Sequence, residues 1–399
     1  MVSDRRPGGG QPDVVRLGVV GLGAVAQAVH LPLIDRLADH FALGALCDLS
    51  PGLLATLGTR YRVPERHRYG DATELFASGA ADAVLVLSSG SHGSVAADAL
   101  AAGLAVLCEK PLAHTLAEAD RLASLVAPGE SARLQVGYMK LYDPAVVAAR
   151  RWIDARSTAE AGAGALRSIE VTVLHPPNAP QLAHARLLAP PADVPESAME
   201  RIAAESESLA ETALGPAPGP LRRLYTNILL GSVVHELALI RRFHGDPTAI
   251  DDVDTWPAES WPPSVAISGQ LMAGARFAIR WHYLEGYPAY REEVRLVFDD
   301  ATVDLVFPSP YLLHAPTILT ITDRDGDARR DITGSSYVEA FEEQLLAFHR
   351  FVVDGTPPAA GIAEGRADIV TCQRMARRYA ERNGLPLGGE AAGDAMLAS

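Results

Sequence analysis

Val15-Arg16-Leu17-Gly18-Val19-Val20-Gly21-Leu22-Gly23-Ala24-Val25-Ala26 is the stretch whose reading decides the fold. A near-continuous apolar run ends in the pattern GxGxxA, and a helical stretch follows. Such a run is expected of a parallel strand buried on both faces. Gly21 permits a tight turn, Gly23 lets a pyrophosphate come close to the backbone, and Ala26 keeps the helix packed on the strand. The helix opening at Ala24 and Val25 supplies N–H groups and a partial positive charge for phosphates. An acid completes the pattern. Asp48 lies 25 residues after Gly23, at the end of the second predicted strand. A carboxylate there accepts hydrogen bonds from an adenine ribose and repels a 2′-phosphate. The next arginine is Arg60, so NAD is favoured over NADP, with NADP kept as the alternative.

Working outward, apolar runs at Phe41–Cys47, Ala83–Leu87, Ala105–Cys108 and Leu134–Gly137 read as further strands. Helical patterns at Gly93–Ala102 and Leu116–Leu125 lie between them. Repeated strand–helix alternation predicts an α/β, doubly wound Rossmann domain over residues 14–137. Beyond it the pattern changes. A strand at Ala165–His175 precedes an insertion, 176–220, rich in Ala, Pro and acids, with a helix predicted at Ala198–Ala213. Leu221–Phe243 reads as helix. Runs at Val265–Met272, Arg276–Leu284, Glu293–Phe298, Thr302–Phe307 and Ile318–Thr322 then read as an antiparallel meander, with closing helices at Tyr337–Val353 and Gly365–Arg382. The second unit, 138–385, is therefore expected to be an α+β domain, and the cleft between the two is the natural place for chemistry.

The 399 residues exceed what one ordinary core accommodates, which agrees with two domains. A balance of 48% hydrophobic and 21% charged residues excludes wholesale disorder and a fibrous chain. The net charge of −14 argues against nucleic acid and against an anionic membrane surface as partners. Cys47, Cys108 and Cys372 lie far apart and form no CxxC or Cys/His cluster, so neither a disulfide framework nor a metal site is supported. A reducing, cytoplasmic setting fits that cysteine usage. Arg5-Arg6 runs into Pro7-Gly8-Gly9-Gly10 with no apolar stretch behind it, so residues 1–13 are expected to be a disordered tail rather than an export signal. Residues 386–399 are expected to be flexible as well.

Ala105-Val106-Leu107-Cys108 leads straight into Glu109-Lys110-Pro111, which places Lys110 at the carboxyl edge of the sheet, where open α/β folds bind ligands. The Gly21 turn, Asp48, Leu87-Ser88-Ser89 with His92, Glu109-Lys110-Pro111 and Gly137-Tyr138-Met139-Lys140 follow one another in a fixed order. Together they resemble the Gfo/Idh/MocA family of oxidoreductases, over roughly Val14 to Tyr379. The resemblance implies a Rossmann domain followed by an open, mostly antiparallel sheet, with homodimers or homotetramers formed through that sheet. It also implies a Lys110 beside both the nicotinamide and the reacting hydroxyl, a cis Lys110–Pro111 bond, and a cofactor lined by Ser88, His92 and Glu109. Leu87-Ser88-Ser89 departs from the Thr-Pro-Asn of many relatives. Lys110 makes chemical sense independently, because an ammonium near a nicotinamide cation has its pKa lowered and exchanges a proton with a hydroxyl near neutral pH.

Family members with dehydrogenase activity often carry Asp-x-x-x-His on a helix of the second domain. Here His235 matches the His, but Gly231 stands four residues before it, and Ser232 is one residue off. Leu224, Ile228, Gly231, His235 and Leu239 would share one stripe of a regular helix. A glycine one turn before His235 would leave room for a ligand, and Asn227 would add a polar contact on the same face. The resemblance to inositol dehydrogenases makes Lys140 a substrate contact. His30, His175 and His184 read as structural, and Asp193 and Glu196 as solvated acids in an insertion that is either a lid or an oligomer contact.

The reading that results is an NAD(P)-dependent oxidoreductase. It would move a hydride between nicotinamide and a secondary alcohol or ketone of a sugar, cyclitol or related polyol. Lys110 would polarise the reacting oxygen and His235 would act as acid/base. Two alternatives stand beside it: elimination or epimerisation by transient oxidation with the cofactor kept bound, and a non-catalytic dinucleotide- or sugar-sensing regulator.

Overall fold

The computed structural model describes residues 14–126, 133–159, 164–189 and 191–393. The tail expected at 1–13 and the end, 394–399, lie outside the described residues. Strands β1 (Val15–Val20), β2 (Phe41–Cys47), β3 (Arg68–Tyr69), β4 (Ala83–Val86), β5 (Ala105–Glu109) and β6 (Leu134–Gly137) form one parallel sheet in the order β3-β2-β1-β4-β5-β6. The order reverses between β1 and β4, which opens the crevice where such sheets bind dinucleotides. Residues of the central strands are buried on both faces. Val20, Val84, Val86 and Val106 look into one core. Leu17, Val19, Leu85 and Leu107 look into another. That two-sided burial is why these strands read as unbroken apolar runs rather than as alternation.

The helices between them are begun by local signals. Ser50 accepts a hydrogen bond from Leu53 N to cap Pro51–Arg60, which starts with its proline. Thr115 and Glu118 form a reciprocal capping box for Leu116–Ser124. The helix after the glycine turn, 24–36, is less regular, since Ala26–His30 is wound as π-helix before Leu31–Arg36.

The second sheet contains eight strands: β7 (Leu166–His175), β8 (Ala249–Trp256), β9 (Ser264–Gln270), β10 (Arg276–Tyr283), β11 (Arg291–Phe298), β12 (Thr302–Phe307), β13 (Ile318–Asp325) and β14 (Ala328–Gly334). Their order is β14-β13-β12-β11-β7-β10-β9-β8. The expected meander is therefore interrupted, because β7 inserts between β10 and β11 and pairs parallel with β10. β8 and β14 were not anticipated. β14 is exposed along its whole length, and β8 is mostly half-buried, so neither has a strong apolar period. One apolar core runs from the Rossmann sheet into this second layer through Val171, Ile279, Leu296 and Val303.

The chain's last helices tie the two units together. Ala340–Asp354 packs Phe341, Leu345 and Phe348 onto the Rossmann core. Ile362–Asn383 lies against Leu116–Ser124 and β8. The end of the chain differs from expectation. Residues 386–393 are docked, with Ala391 fully buried. Glu390 accepts hydrogen bonds from Leu116 N (2.7 Å), Ala117 N (2.9 Å) and Gln373 Nε2 (2.7 Å). A carboxylate at a helix N-terminus satisfies orphan N–H groups, which is what holds this segment down.

Candidate active site

β1 ends at the glycine turn, and the turn's geometry depends on glycine. Gly21 has φ +91°, and a Cβ there would sit 2.6 Å from Ser88 N, at the end of β4. Over Gly23 a Cβ would meet nothing within 4 Å, so the space a pyrophosphate needs is open. The N–H groups of the first helical turn at Ala24 and Val25 have no intrahelical partner by construction. Asp48 accepts from Leu22 N (2.7 Å) and Ser50 N (2.8 Å), which fixes its carboxylate at the mouth of the turn. Two such bonds leave lone pairs for ribose hydroxyls. The residues present fit a dinucleotide.

From there a cleft of about 460 Å³ runs between the domains. Gly23, Ala24, Val25, Ser88, His92, Glu109, Lys110, Asn227 and His235 all line it. The structure thus gathers all but three of the residues singled out from sequence into one space. Gly21 and Asp48 shape the turn beside it, and Lys140 lies elsewhere.

Lys110 stands where β5 ends, followed by a cis bond to Pro111, as the resemblance implied. Its Nζ donates to the carbonyl oxygen of Gly231. The position where relatives carry a carboxylate thus contributes a backbone acceptor instead. Burial pulls the Lys110 amine below its ordinary pKa and the charge of Lys140 adds to this, while Glu109 and Glu236 oppose it. Burial alone would raise the Glu109 carboxyl. The hydrogen bond and charge of His30, with the charges of Lys110 and His92, nevertheless hold it below its usual range. His30 Nε2 lies 3.2 Å from Glu109 Oε1, which gives that buried histidine the structural part expected of it.

His92 is tied to two carbonyls, Nδ1 to Pro111 O (2.6 Å) and Nε2 to Ser88 O (2.7 Å). It therefore clamps the end of β4 to the Lys110–Pro111 turn. Burial lowers its pKa, while the two carbonyl hydrogen bonds and the charge of Glu109 oppose that shift.

The helix carrying His235 differs from a regular one. Gly219–Arg223 leads into ten residues of π-helix, Leu224–Val233, before Val234–His244 resumes the α form. A π-helix turns less per residue, so the predicted stripe divides. Leu224, Ile228 and Leu239 are buried in the core, while Asn227, Gly231 and His235 face the cleft. Ser232 points away, as expected, and accepts from Trp281 Nε1 at 2.9 Å. His235 shows part of its ring to the cleft, yet its Nδ1 is buried and without a partner among the described residues. Burial first, then the charges of Lys110 and Lys140, push its pKa well below 6.5, so the imidazole is neutral. A neutral ring that lines the same cleft as the Lys110 amine can accept or return a proton through the part it shows there.

Lys140 is a correction. Its side chain is 8% exposed and its amine lies between Glu236 Oε1 (3.3 Å) and Glu292, so its donors are committed to two carboxylates. Tyr290 also donates to Glu292 (2.6 Å). Lys140 lines an inner cavity with Met139, Tyr290 and Phe307 rather than the open cleft. Sequence reasoning missed Glu236, Glu292 and Tyr290. A Glu on an apolar helix beside His235 and an alternating strand register at Glu292 were the available signals. The insertion acids Asp193 and Glu196 are both exposed, as expected of solvated acids. Asp193 accepts from Ser50 Oγ (2.6 Å) and Gly52 N (2.7 Å), which hold its carboxyl below the usual range. His175 stacks on Tyr283 and bonds Pro176 O, and His184 bonds Tyr311 O, both structural as expected. Among the described residues no cluster of metal-ligating side chains occurs, and no helix is long and apolar enough to cross a membrane.

Residues 15–138 match the family model described as an oxidoreductase family with an NAD-binding Rossmann fold. This segment belongs to the Gfo/Idh/MocA family. Inositol 2-dehydrogenase of Burkholderia cenocepacia is 34% identical over 141 residues, 35% of this chain and 41% of that protein. The chain thus matches about two fifths of that relative's length. Over nearly the whole chain the architecture is similar to solved structures. Aldose-aldose oxidoreductase from Caulobacter crescentus superposes with a TM-score of 0.68 at 19% identity, covering 93% of this chain and 98% of that one. Scyllo-inositol dehydrogenase from Lactobacillus casei, solved with NAD(H) and scyllo-inositol, gives 0.64 at 18%, covering 96% and 100%. At these identities the likeness shows the two-domain fold alone, and a fold does not fix a substrate.

Proposed function

We propose that this protein is an NAD(H)-dependent oxidoreductase acting on a secondary alcohol, or the matching ketone, of a sugar, cyclitol or related polyol. The observation that carries the reading is the position of Lys110. Its amine, lowered in pKa, sits in the same cleft as the glycine turn and the neutral His235. Nicotinamide, when bound, supplies a hydride acceptor or donor at C4. The chain's own part is to hold the carbinol oxygen and move its proton. Lys110 donates to that oxygen and stabilises charge developing on it. His235 takes the hydroxyl proton in the oxidative direction and returns it in the reductive one. Each turnover then moves two electrons and one proton as hydride, and one further proton through the side chains. The Gly231 carbonyl keeps the Lys110 amine aimed into the cleft. NAD over NADP rests on Asp48 at the ribose end. The polyol class rests on the inositol and aldose enzymes similar to this chain, and a homo-oligomer built through the eight-stranded sheet is part of the same proposal.

The insertion, which crosses the glycine turn, favours a second reading in which the cofactor stays bound and transient oxidation serves elimination or epimerisation. One experiment addresses both. NADH formation is followed across cyclitols, sugars and nucleotide sugars for wild type and Lys110→Ala, with product analysis of the same mixtures. The dehydrogenase reading expects turnover that falls by about 10²–10⁴-fold in the variant while NAD still binds. Substrate conversion without accumulated NADH would establish the second reading, and undiminished turnover in Lys110→Ala would refute the role given to Lys110.

A further inference from the structure

Residues 178–189 and 191–193 lie across the glycine turn and are tied down at three points. Leu188 N donates to Gln27 Oε1 (2.9 Å), and Gln27 Nε2 donates in turn to Leu22 O (2.8 Å) inside the GxGxxA turn. The Asp193 carboxylate takes Ser50 Oγ and Gly52 N, just beyond Asp48. His184 Nε2 lies 2.9 Å from Tyr311 O. Between these ties the segment roofs a cavity of about 550 Å³ whose floor is Gly23 and Ala24, the residues that also begin the catalytic cleft. Leu182, Leu187 and Arg186 face that floor.

Arg186 is the unusual member. Its backbone is left-handed, φ 47° and ψ 50°. That conformation is normally left to glycine or asparagine. No ion pair or hydrogen bond of its guanidinium occurs among the described residues, although the chain has a net charge of −14. The exposed Arg186 guanidinium shares this cavity with the Gly23–Ala24 helix opening, an arrangement that could take an anion from two sides. The fork of an arginine matches phosphate oxygens, and the N–H groups of the helix approach from the other side.

We propose that residues 178–189 form a strap over the dinucleotide and that Arg186 binds its pyrophosphate from the roof. The cofactor is then gripped from both sides and leaves slowly, because the Leu188 and Asp193 ties must open first. The inference rests on the reading that the Gly21–Ala26 turn holds a dinucleotide, and it extends that site with a residue more than 150 positions away in sequence.

The test measures dissociation constants and release rates of NAD, NADP and ADP-ribose for wild type, Arg186→Ala, Arg186→Lys and Asp193→Asn. Expected is a loss of tenfold or more in Arg186→Ala that is similar for all three ligands, since all three carry the pyrophosphate. Arg186→Lys should fall between, keeping the charge without the fork, and its folding controls for the alanine variant. Asp193→Asn should speed release. Unchanged affinity in Arg186→Ala overturns the proposal. So does a loss confined to NADP, which would put the guanidinium on the 2′-phosphate. A wild type that binds none of the three removes the dinucleotide reading itself, and is thereby distinguished from a failure of the strap alone.

Discussion

Replacing Lys140 with methionine should destabilise the protein strongly at alkaline pH and much less at acid pH. Lys140, Glu236 and Glu292 have side-chain exposures of 8%, 1% and 0%, so the amine pairs with two carboxylates in a nearly dry site. Burial and repulsion from Glu292 already raise the Glu236 carboxyl above its ordinary range, with Lys140 opposing the rise. Methionine keeps the apolar stem against Phe307 but removes the charge. The carboxylates must then stay ionised without a partner or take up one more proton. Breaking a buried pair in this way costs about 3–5 kcal/mol. Proton uptake limits that cost, because protonating an ordinary carboxyl of pKa about 4.3 takes roughly 5 kcal/mol at pH 8 and only about 1.6 at pH 5.5. The assay is urea unfolding followed by tryptophan fluorescence at both pH values. All four tryptophans, Trp152, Trp256, Trp261 and Trp281, lie in the second domain, to which Glu236 and Glu292 belong. The gap between wild type and variant should be about 3–5 kcal/mol at pH 8 and shrink to about 1–2 at pH 5.5. Adding Glu236→Gln and Glu292→Gln should recover much of the loss. A gap below about 1 kcal/mol at pH 8, or one that widens on acidification, would falsify the picture of a dry, singly compensated pair of carboxylates.

Two further outcomes are expected. Burial lowers the His114 pKa to about 4, so the folded state binds its proton less tightly than the unfolded chain does, and stability is lost as pH falls below about 6.5. His114→Leu should therefore remove roughly 2 kcal/mol of the acid sensitivity at pH 5, read as a smaller difference in urea midpoint between pH 7 and pH 5. The cysteines are buried, and desolvation pushes the Cys47 thiol up to about 12 and raises Cys108 and Cys372 as well. A thiol-reactive disulfide reagent should then modify none of the three cysteines in the native protein and all of them in denaturant.

The Rossmann half was legible because its signals are local. Leu17 and Val19 on one face and Val84 and Val86 in the next strand must all be apolar when a parallel strand is covered on both sides, and the glycine turn needs its residues within six positions. Glu109-Lys110-Pro111 was legible for the same reason: the strand's end dictates where Lys110 emerges. His235 could be singled out, but the face it shares with Gly231 and Asn227 could not be derived from a regular helical period, because ten residues of π-helix change the angle per residue.

What the sequence by itself determined is therefore the order of elements, the dinucleotide turn, and the identity of the cleft residues on the Rossmann side. Only the tertiary structure decided where β7 pairs, whom Lys140 meets, and which segment lies across the glycine turn. Lys140 finds its acids 96 and 152 residues away, and Asp193 reaches Ser50 across 143. Partners at such separations are chosen by how sheets and helices pack, not by any spacing along the chain. A lysine three residues past a strand thus reads the same whether it faces a polyol or two buried glutamates. The difference lies in the dielectric and the charges around it, which exist only once the chain has folded.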